Sequence, residues 1–232
     1  MIFVVAEIGV NWDGDFNLLK EMISKAKESG CNAVKLQAFQ EIMVENHPEK
    51  QRLMNSSVNE KNVNRIDKIA KSFKMEWFCT PMYPEAVDFL NPYVKRFKIR
   101  VADGKPLLKN KISPLIKRVL ETKKEVIISS ETNPKNSKYY NHSKISWLYC
   151  VPKYPCSLTD LNFVKIKDFN GYSNHCVDFL APLTAAMLGS KIIEIHITSD
   201  KSKNFIDNNV SFDYDDLKEL VKLIRKSEKI RK

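Results

Sequence analysis

Eight short apolar stretches recur along the chain, and most are followed by a segment with helical spacing. The stretches are IFVVAEIG (2–9), NAVKLQAF (32–39), MEWFCTP (75–81), VKRFKIRVA (94–102), EVIISS (125–130), ISWLYC (145–150), NGYSN (170–174) and KIIEIHIT (191–198). Between and after them lie FNLLKEMISKAKESG (16–30), KNVNRIDKIAKSF (61–73), PEAVDFLNP (84–92), LLKNKISPLIKRVLETK (107–123), LTDLNFVKIKD (158–168), VDFLAPLTAAMLGS (177–190) and SFDYDDLKELVKLIRKSEK (211–229), which all read as helices. The polar stretch from Gln40 to Glu60 shows no clear period, and ETNPKNSKYYNHSK (131–144) leaves room for a stunted helix at most. Strands that alternate with helices predict a parallel sheet. Eight such units in 232 residues predict a single α/β domain, a (β/α)8 barrel over residues 1–232. The rival doubly wound sheet usually carries a glycine-rich phosphate loop, and this chain has six glycines and no G-x-G-x-x-G.

Composition narrows the function. A hydrophobic content of 43% supports a sizeable core. The net charge of +10 comes from scattered lysines, not from basic blocks, so it favours an anionic small substrate over nucleic acid. Five cysteines, with no C-x-x-C pair and no zinc-type spacing, predict reduced thiols and a cytoplasmic protein. The N-terminus has no basic leader, and no apolar run approaches the ~18 residues of a membrane span.

Side chains alternate between the two faces of a strand. In a barrel, this alternation turns Val5 and Glu7, Lys35 and Gln37, Lys98 and Arg100, and Glu194 and His196 inward. These polar groups fall near the C-terminal ends of their strands, where this fold carries its active site. Buried charge needs a partner or a ligand. His175 and His196 end the seventh and eighth strands, so their rings are expected to meet as a divalent-metal site, with Glu194 orienting His196 from behind. Lys35 and Lys98 provide cations for phosphate or carboxylate. The residues alone predict metal-assisted chemistry on an anionic substrate.

The motifs AEIGVNWDGD, AVKLQAF, EWFCTPMYPEAVDFL, FKIRVADGKPLL, VIISSETN, YPCSLTDLNFVKIK, GYSNHC and IEIHITSDKS follow one another in the order found in sialic acid synthases and related nonulosonic acid synthases. The chain resembles that family from Ile2 to about Ile224. The resemblance implies a (β/α)8 transferase that joins phosphoenolpyruvate to the aldehyde of an N-acetylated sugar such as N-acetylmannosamine, releasing phosphate. It implies Mn or Mg on His175 and His196, and phosphoenolpyruvate on Lys35, Lys98, Ser129 and Ser173. Gln37, Tyr154 and Asp207 are implied near the sugar, and Glu7 as the group that positions water or moves a proton. Lys98 and Asp103 lie in the family's K-I-x-S-x-E motif and are expected, with Glu7, to be the catalytic groups.

The chain departs from the family pattern in several places. Trp12 stands for the usual histidine of N-H-N-G, Val101 for a serine beside phosphoenolpyruvate, Glu131 for a glycine and Pro152 for an asparagine. Arg100 is the expected replacement for the lost serine contact. The family's C-terminal antifreeze-like domain has no counterpart in this sequence, so a homodimer or a separate lid-domain protein is an expected partner. Two other functions stay open on the residues: a Schiff-base aldolase or lyase using Lys98, and a non-catalytic barrel that binds a sugar or a partner.

Overall fold

The computed structural model describes residues 1–230. Eight parallel strands close into a barrel in chain order: β1 (Phe3–Gly9), β2 (Ala33–Ala38), β3 (Glu76–Pro81), β4 (Arg96–Ile99), β5 (Glu125–Ser130), β6 (Ile145–Tyr149), β7 (Gly171–Asn174) and β8 (Ile192–His196). Around them run helices α1 (Phe16–Glu28), α2 (Lys50–Ser56), α3 (Val63–Ser72), α4 (Pro84–Leu90), α5 (Val101–Leu108), α6 (Pro114–Glu121), α7 (Leu180–Met187) and α8 (Tyr214–Ile230). The expected (β/α)8 fold is therefore present. None of these helices is long and apolar enough to cross a membrane, and all five cysteines are buried and free.

The register carries the inward alternation around the barrel. Glu7 pairs with both Lys35 and His196, Gln37 with Thr80, Lys98 with Ile127, and Ser173 with Glu194. Directly paired residues of parallel strands share a face, so these side chains all look into the barrel. β7 can approach β8 only because Gly171 has no side chain: a Cβ there would lie 2.0 Å from the Ile192 carbonyl oxygen.

The N-terminal mouth is closed by an ionic plug. Arg96 Nε lies 2.7 Å from Glu76 Oε1, its Nη1 lies 2.8 Å from Glu125 Oε2, and the guanidinium stacks over Phe3 at 4.5 Å. Above this, Val5, Phe78, Ile127 and Leu148 fill the interior and are almost wholly buried. The barrel is thus solid below and polar above.

Several elements differ from the sequence expectation. The stretch 40–60 contains a 3₁₀ turn (Glu41–Val44) and the helix α2. The fourth strand ends at Ile99, and α5 starts at Val101. The single helix expected over 107–123 is two. Asn110 takes a left-handed φ of 59°, and Ser113 then caps a new helix with Pro114 at its first position. The expected helix over 158–168 is replaced by two 3₁₀ turns, Leu158–Asp160 and Phe163–Asp168. A Ser157–Asp160 capping box uses the first amides, and Asn162 N–H donates to the Tyr149 hydroxyl at 3.0 Å instead of continuing a helical ladder.

Candidate active site

The C-terminal mouth opens into a cavity of about 350 Å³. Glu7, Lys35, Gln37, Lys98, Arg100, Ser129, Tyr154, Ser173, His175, His196 and Asp207 all line it. Of the residues singled out from sequence, Asp103 does not: it lies on the first turn of α5 with its carboxylate against the Arg100 guanidinium. Arg100 also departs from its expected place. It precedes α5 as the N-cap residue, with its side chain 45% exposed, so it sits on the rim and does not point down the barrel. The strand alternation fails there because the strand has already ended.

A charged network forms the floor. Lys35 Nζ lies 2.8 Å from Glu7 Oε1 and 3.8 Å from Glu194 Oε1, and Lys98 Nζ lies 3.0 Å from the same Glu194 oxygen. Gln37 donates to Glu7 Oε1 at 2.8 Å, Ser173 to Glu194 Oε1 at 2.9 Å, and Lys35 to Thr80 Oγ1 at 3.1 Å. Burial works to raise the Glu194 carboxyl, but Lys35 and Lys98 outweigh it and hold the group at about 2. The expectation that Glu194 orients His196 is therefore corrected: its carboxylate pairs with the lysines, which offset the large cost of burying it.

Above the floor stand the two imidazoles. Their ring centroids are 5.4 Å apart, and the Tyr154 ring lies 3.9 Å from His175 and 5.9 Å from His196. His175 Nδ1 lies 2.8 Å from the Val151 carbonyl oxygen. A carbonyl only accepts, so Nδ1 carries the proton and Nε2 keeps its lone pair. Burial, aided by His196, pushes the His175 pKa down to about 3, which keeps the ring neutral near pH 7. His196 Nδ1 faces Asp207 Oδ2 at 3.6 Å. Burial works against the Asp207 charge, yet His196 more than compensates and its pKa is lowered.

Four buried polar atoms here have no hydrogen-bond partner: Glu7 Oε2, Glu194 Oε2, Ser129 Oγ and His196 Nδ1. Buried polar groups are normally satisfied, so their convergence on one cavity marks a ligand site. Among the described residues, no group of three or more His, Cys, Asp or Glu is arranged to hold a metal ion. An ion at this mouth would take the His175 and His196 imidazoles from the chain and its remaining ligands from water or substrate. That donor set fits a divalent cation with open positions.

The loops are built around these groups. Gly9 has φ +55°, and a Cβ there would meet Gln37 Nε2 at 3.1 Å and Asp207 Oδ2 and Glu7 Oε1 at 3.2 Å each. Asn11 Oδ1 accepts the Asp207 amide at 2.9 Å, and its Nδ2 donates to the Ile197 carbonyl at 2.9 Å, which fixes the β8–α8 loop. Trp12, in the position of the family's histidine, is fully buried and donates to the Ser56 carbonyl at 3.0 Å, which ties α2 to the mouth. Glu131 is exposed and does not line the cavity, whereas Val101 does. Thr80 and Cys150 also line the cavity but escaped the sequence reading. Thr80 had a usable signal, since it lies two residues after Phe78 on the inward face; Cys150, at a strand end, looked like any core thiol.

Comparison with known proteins places this geometry. The NeuB family matches residues 22–232. An uncharacterized protein of Methanocaldococcus jannaschii is 31% identical over 246 aligned positions, covering 98% of this chain and 71% of that protein. The N,N'-diacetyllegionaminic acid synthase of Legionella pneumophila is also 31% identical, covering 98% and 72%. Among solved structures, the N-acetylneuraminic acid (sialic acid) synthetase of Leptospira borgpetersenii serovar Hardjo-bovis superimposes with a TM-score of 0.86 at 26% identity. It covers 99% of this chain and 85% of its own.

Proposed function

This chain belongs to the NeuB family, and from that membership we propose that its barrel is a synthase condensing phosphoenolpyruvate with the aldehyde of an N-acylated amino sugar, yielding a nonulosonic acid and phosphate. The observation that carries this reading is the joining, in one cavity, of a two-lysine floor to a pair of imidazoles and to buried carboxylate and hydroxyl atoms without hydrogen-bond partners.

In this reading, Lys35 and Lys98 hold the anionic substrate, with Ser129 and Ser173 beside it. Arg100, on the rim, stands in for the serine replaced by Val101. Carbon 3 of phosphoenolpyruvate forms the new bond to the aldehyde carbon, whose oxygen takes up a proton to become a hydroxyl. The oxygen of water bonds to carbon 2, one of its protons supplying the new hydroxyl; the bond from carbon 2 to the phosphate-bearing oxygen then breaks, phosphate departs with the other proton, and a keto group remains. Glu7 moves the proton or positions the water through its unpartnered Oε2, while Gln37 and Lys35 fix its other oxygen. His175 and His196 would hold the divalent ion, Mn or Mg, which when bound polarises the aldehyde oxygen. Gln37, Tyr154 and Asp207 orient the sugar, and Asp103 acts at one remove by positioning Arg100.

The test is phosphate release from phosphoenolpyruvate by the purified protein, with and without Mn, across N-acylated aldoses. Release that needs both metal and sugar is expected. Phosphoenolpyruvate turnover with no sugar present, or none with any sugar, would overturn the reading.

A further inference from the structure

Three consecutive residues of the β1–α1 loop dock against α2. Trp12 Nε1 donates to the Ser56 carbonyl at 3.0 Å. Asp13 Oδ2 lies 2.7 Å from Arg52 Nη2. Gly14 runs so close to the helix that a Cβ there would come within 2.7 Å of the Asn55 carbonyl oxygen. Asp13 holds a left-handed φ of 49°, uncommon for a residue other than glycine. Its other oxygen, Oδ1, is buried with no hydrogen-bond partner among the described residues. Two local costs fall on one residue, and its charge is turned onto Arg52, so the contact is one the loop is built to make.

Arg52 reaches further. The same Nη2 donates to the Asn204 carbonyl at 2.7 Å, and Nη1 lies 3.1 Å from Glu49 Oε2. One guanidinium thus joins α2 to the β1–α1 loop and to the β8–α8 loop, a task that its planar fork of donors suits. Arg52 does not line the cavity, but its neighbours on all three segments do: Leu53 on α2, Val10 after β1, and Ile206 and Asp207 just beyond Asn204.

The two substrates of the proposed reaction meet different parts of this frame. In that reading Lys35, Lys98, Ser129 and Ser173 hold phosphoenolpyruvate, and they stand on β2, β4, β5 and β7, where the barrel's ladders fix them. Asp207, assigned to the sugar, stands on a loop, and a loop keeps its shape only through contacts such as these. Resting on the synthase reading, we infer that Arg52 is a positioning residue for the acceptor sugar. It ties α2 and the β8–α8 loop into one wall before the sugar arrives, so that sugar binding does not have to order them. It acts through Leu53, Ile206 and Asp207 and touches no reacting atom.

The experiment measures phosphate release with Mn in the parent, Arg52→Ala, Asp13→Asn and the double variant, varying each substrate in turn, with hydrogen exchange read on the same proteins. Asparagine tolerates the left-handed backbone, so Asp13→Asn removes the charge and leaves the turn. Arg52→Ala should raise KM for the sugar about tenfold, while kcat and KM for phosphoenolpyruvate stay within about twofold of the parent. The double variant should be no worse than Arg52→Ala, because the two residues form one tie. Amides of α2 and of residues 204–208 should exchange faster in Arg52→Ala, with those of β2, β4, β5 and β7 unchanged. An unchanged KM for the sugar, an equal rise in KM for phosphoenolpyruvate, or faster exchange throughout the barrel overturns the inference while leaving the synthase reading intact. Should no sugar elicit release from the parent, the synthase reading falls, and calorimetric binding of the same sugars to the parent and Arg52→Ala decides the role of Arg52. Weaker binding to the variant supports it; equal binding, or none to either, overturns it.

Discussion

Lys98 and Glu194 face each other at 3.0 Å deep in the barrel, and each is about 3% exposed. Removing Lys98 leaves the buried Glu194 carboxylate with only the more distant Lys35, at 3.8 Å, to offset its charge. Lys98→Met should therefore cost about 3–5 kcal/mol of stability in denaturant titration. Adding Glu194→Gln should recover much of that loss, because the carboxylate is then gone, while phosphate release stays abolished. The same carboxyl gives a pH signature. Its folded value lies near 2, below its ordinary 4.5, so it contributes stability above about pH 4.5, and that contribution is lost as pH falls toward 2. Acid melts of Glu194→Gln should show a shallower decline across this window than the parent protein. At the mouth, His196→Ala should lower Mn-dependent phosphate release at least about 100-fold and weaken Mn binding measured directly, with the thermal melt little changed.

At the level of elements, the strands were far easier to read than their connections. β8 announces itself because Ile193, Ile195 and Ile197 alternate with Glu194 and His196, and a closed barrel gives that alternation only two destinations, helices or interior. Arg100 escaped the same logic because one residue separates β4 from α5, and no periodicity marks that change. α2 leaves no mark in the sequence because a seven-residue helix spans barely two turns, too few to show a period, although Leu53 on it reaches the cavity. The Lys98–Glu194 pairing was equally hidden, since the residues lie 96 positions apart and only the barrel's closure joins them. Close packing between elements gives a sharp prediction. Gly171→Ala would drive a Cβ into the Ile192 carbonyl, and should cost about 3 kcal/mol with partial separation of β7 from β8. The β7 and β8 amides should exchange with solvent faster in that variant than in the parent, measured by hydrogen exchange.

Over the whole molecule, the two ends of the barrel divide the work. The upper mouth spends folding stability on unsatisfied carboxylates, an orphaned imidazole nitrogen and a left-handed Gly9. The lower mouth is instead occupied by Arg96, paired with Glu76 and Glu125. Arg96→Met should lower the melting temperature by several degrees, about 2–4 °C per kcal/mol in a chain of this size, while kcat/KM for phosphate release is unchanged. Arg225 of α8 ties the last helix to the starts of β1 and β2, donating to the Ile2 carbonyl at 2.7 Å and to Asn32 Oδ1 at 2.9 Å, while Glu228 accepts the Ile2 amide. The first strand and the last helix are thus neighbours in space, as in a ring whose clasp could sit at any link. A circular permutant, with residues 1 and 230 joined by a short flexible linker and the chain reopened in the helix-free 131–144 segment, inherits every strand pairing of the parent. For such a barrel, the order in which its units are synthesised is separable from the catalytic face they build.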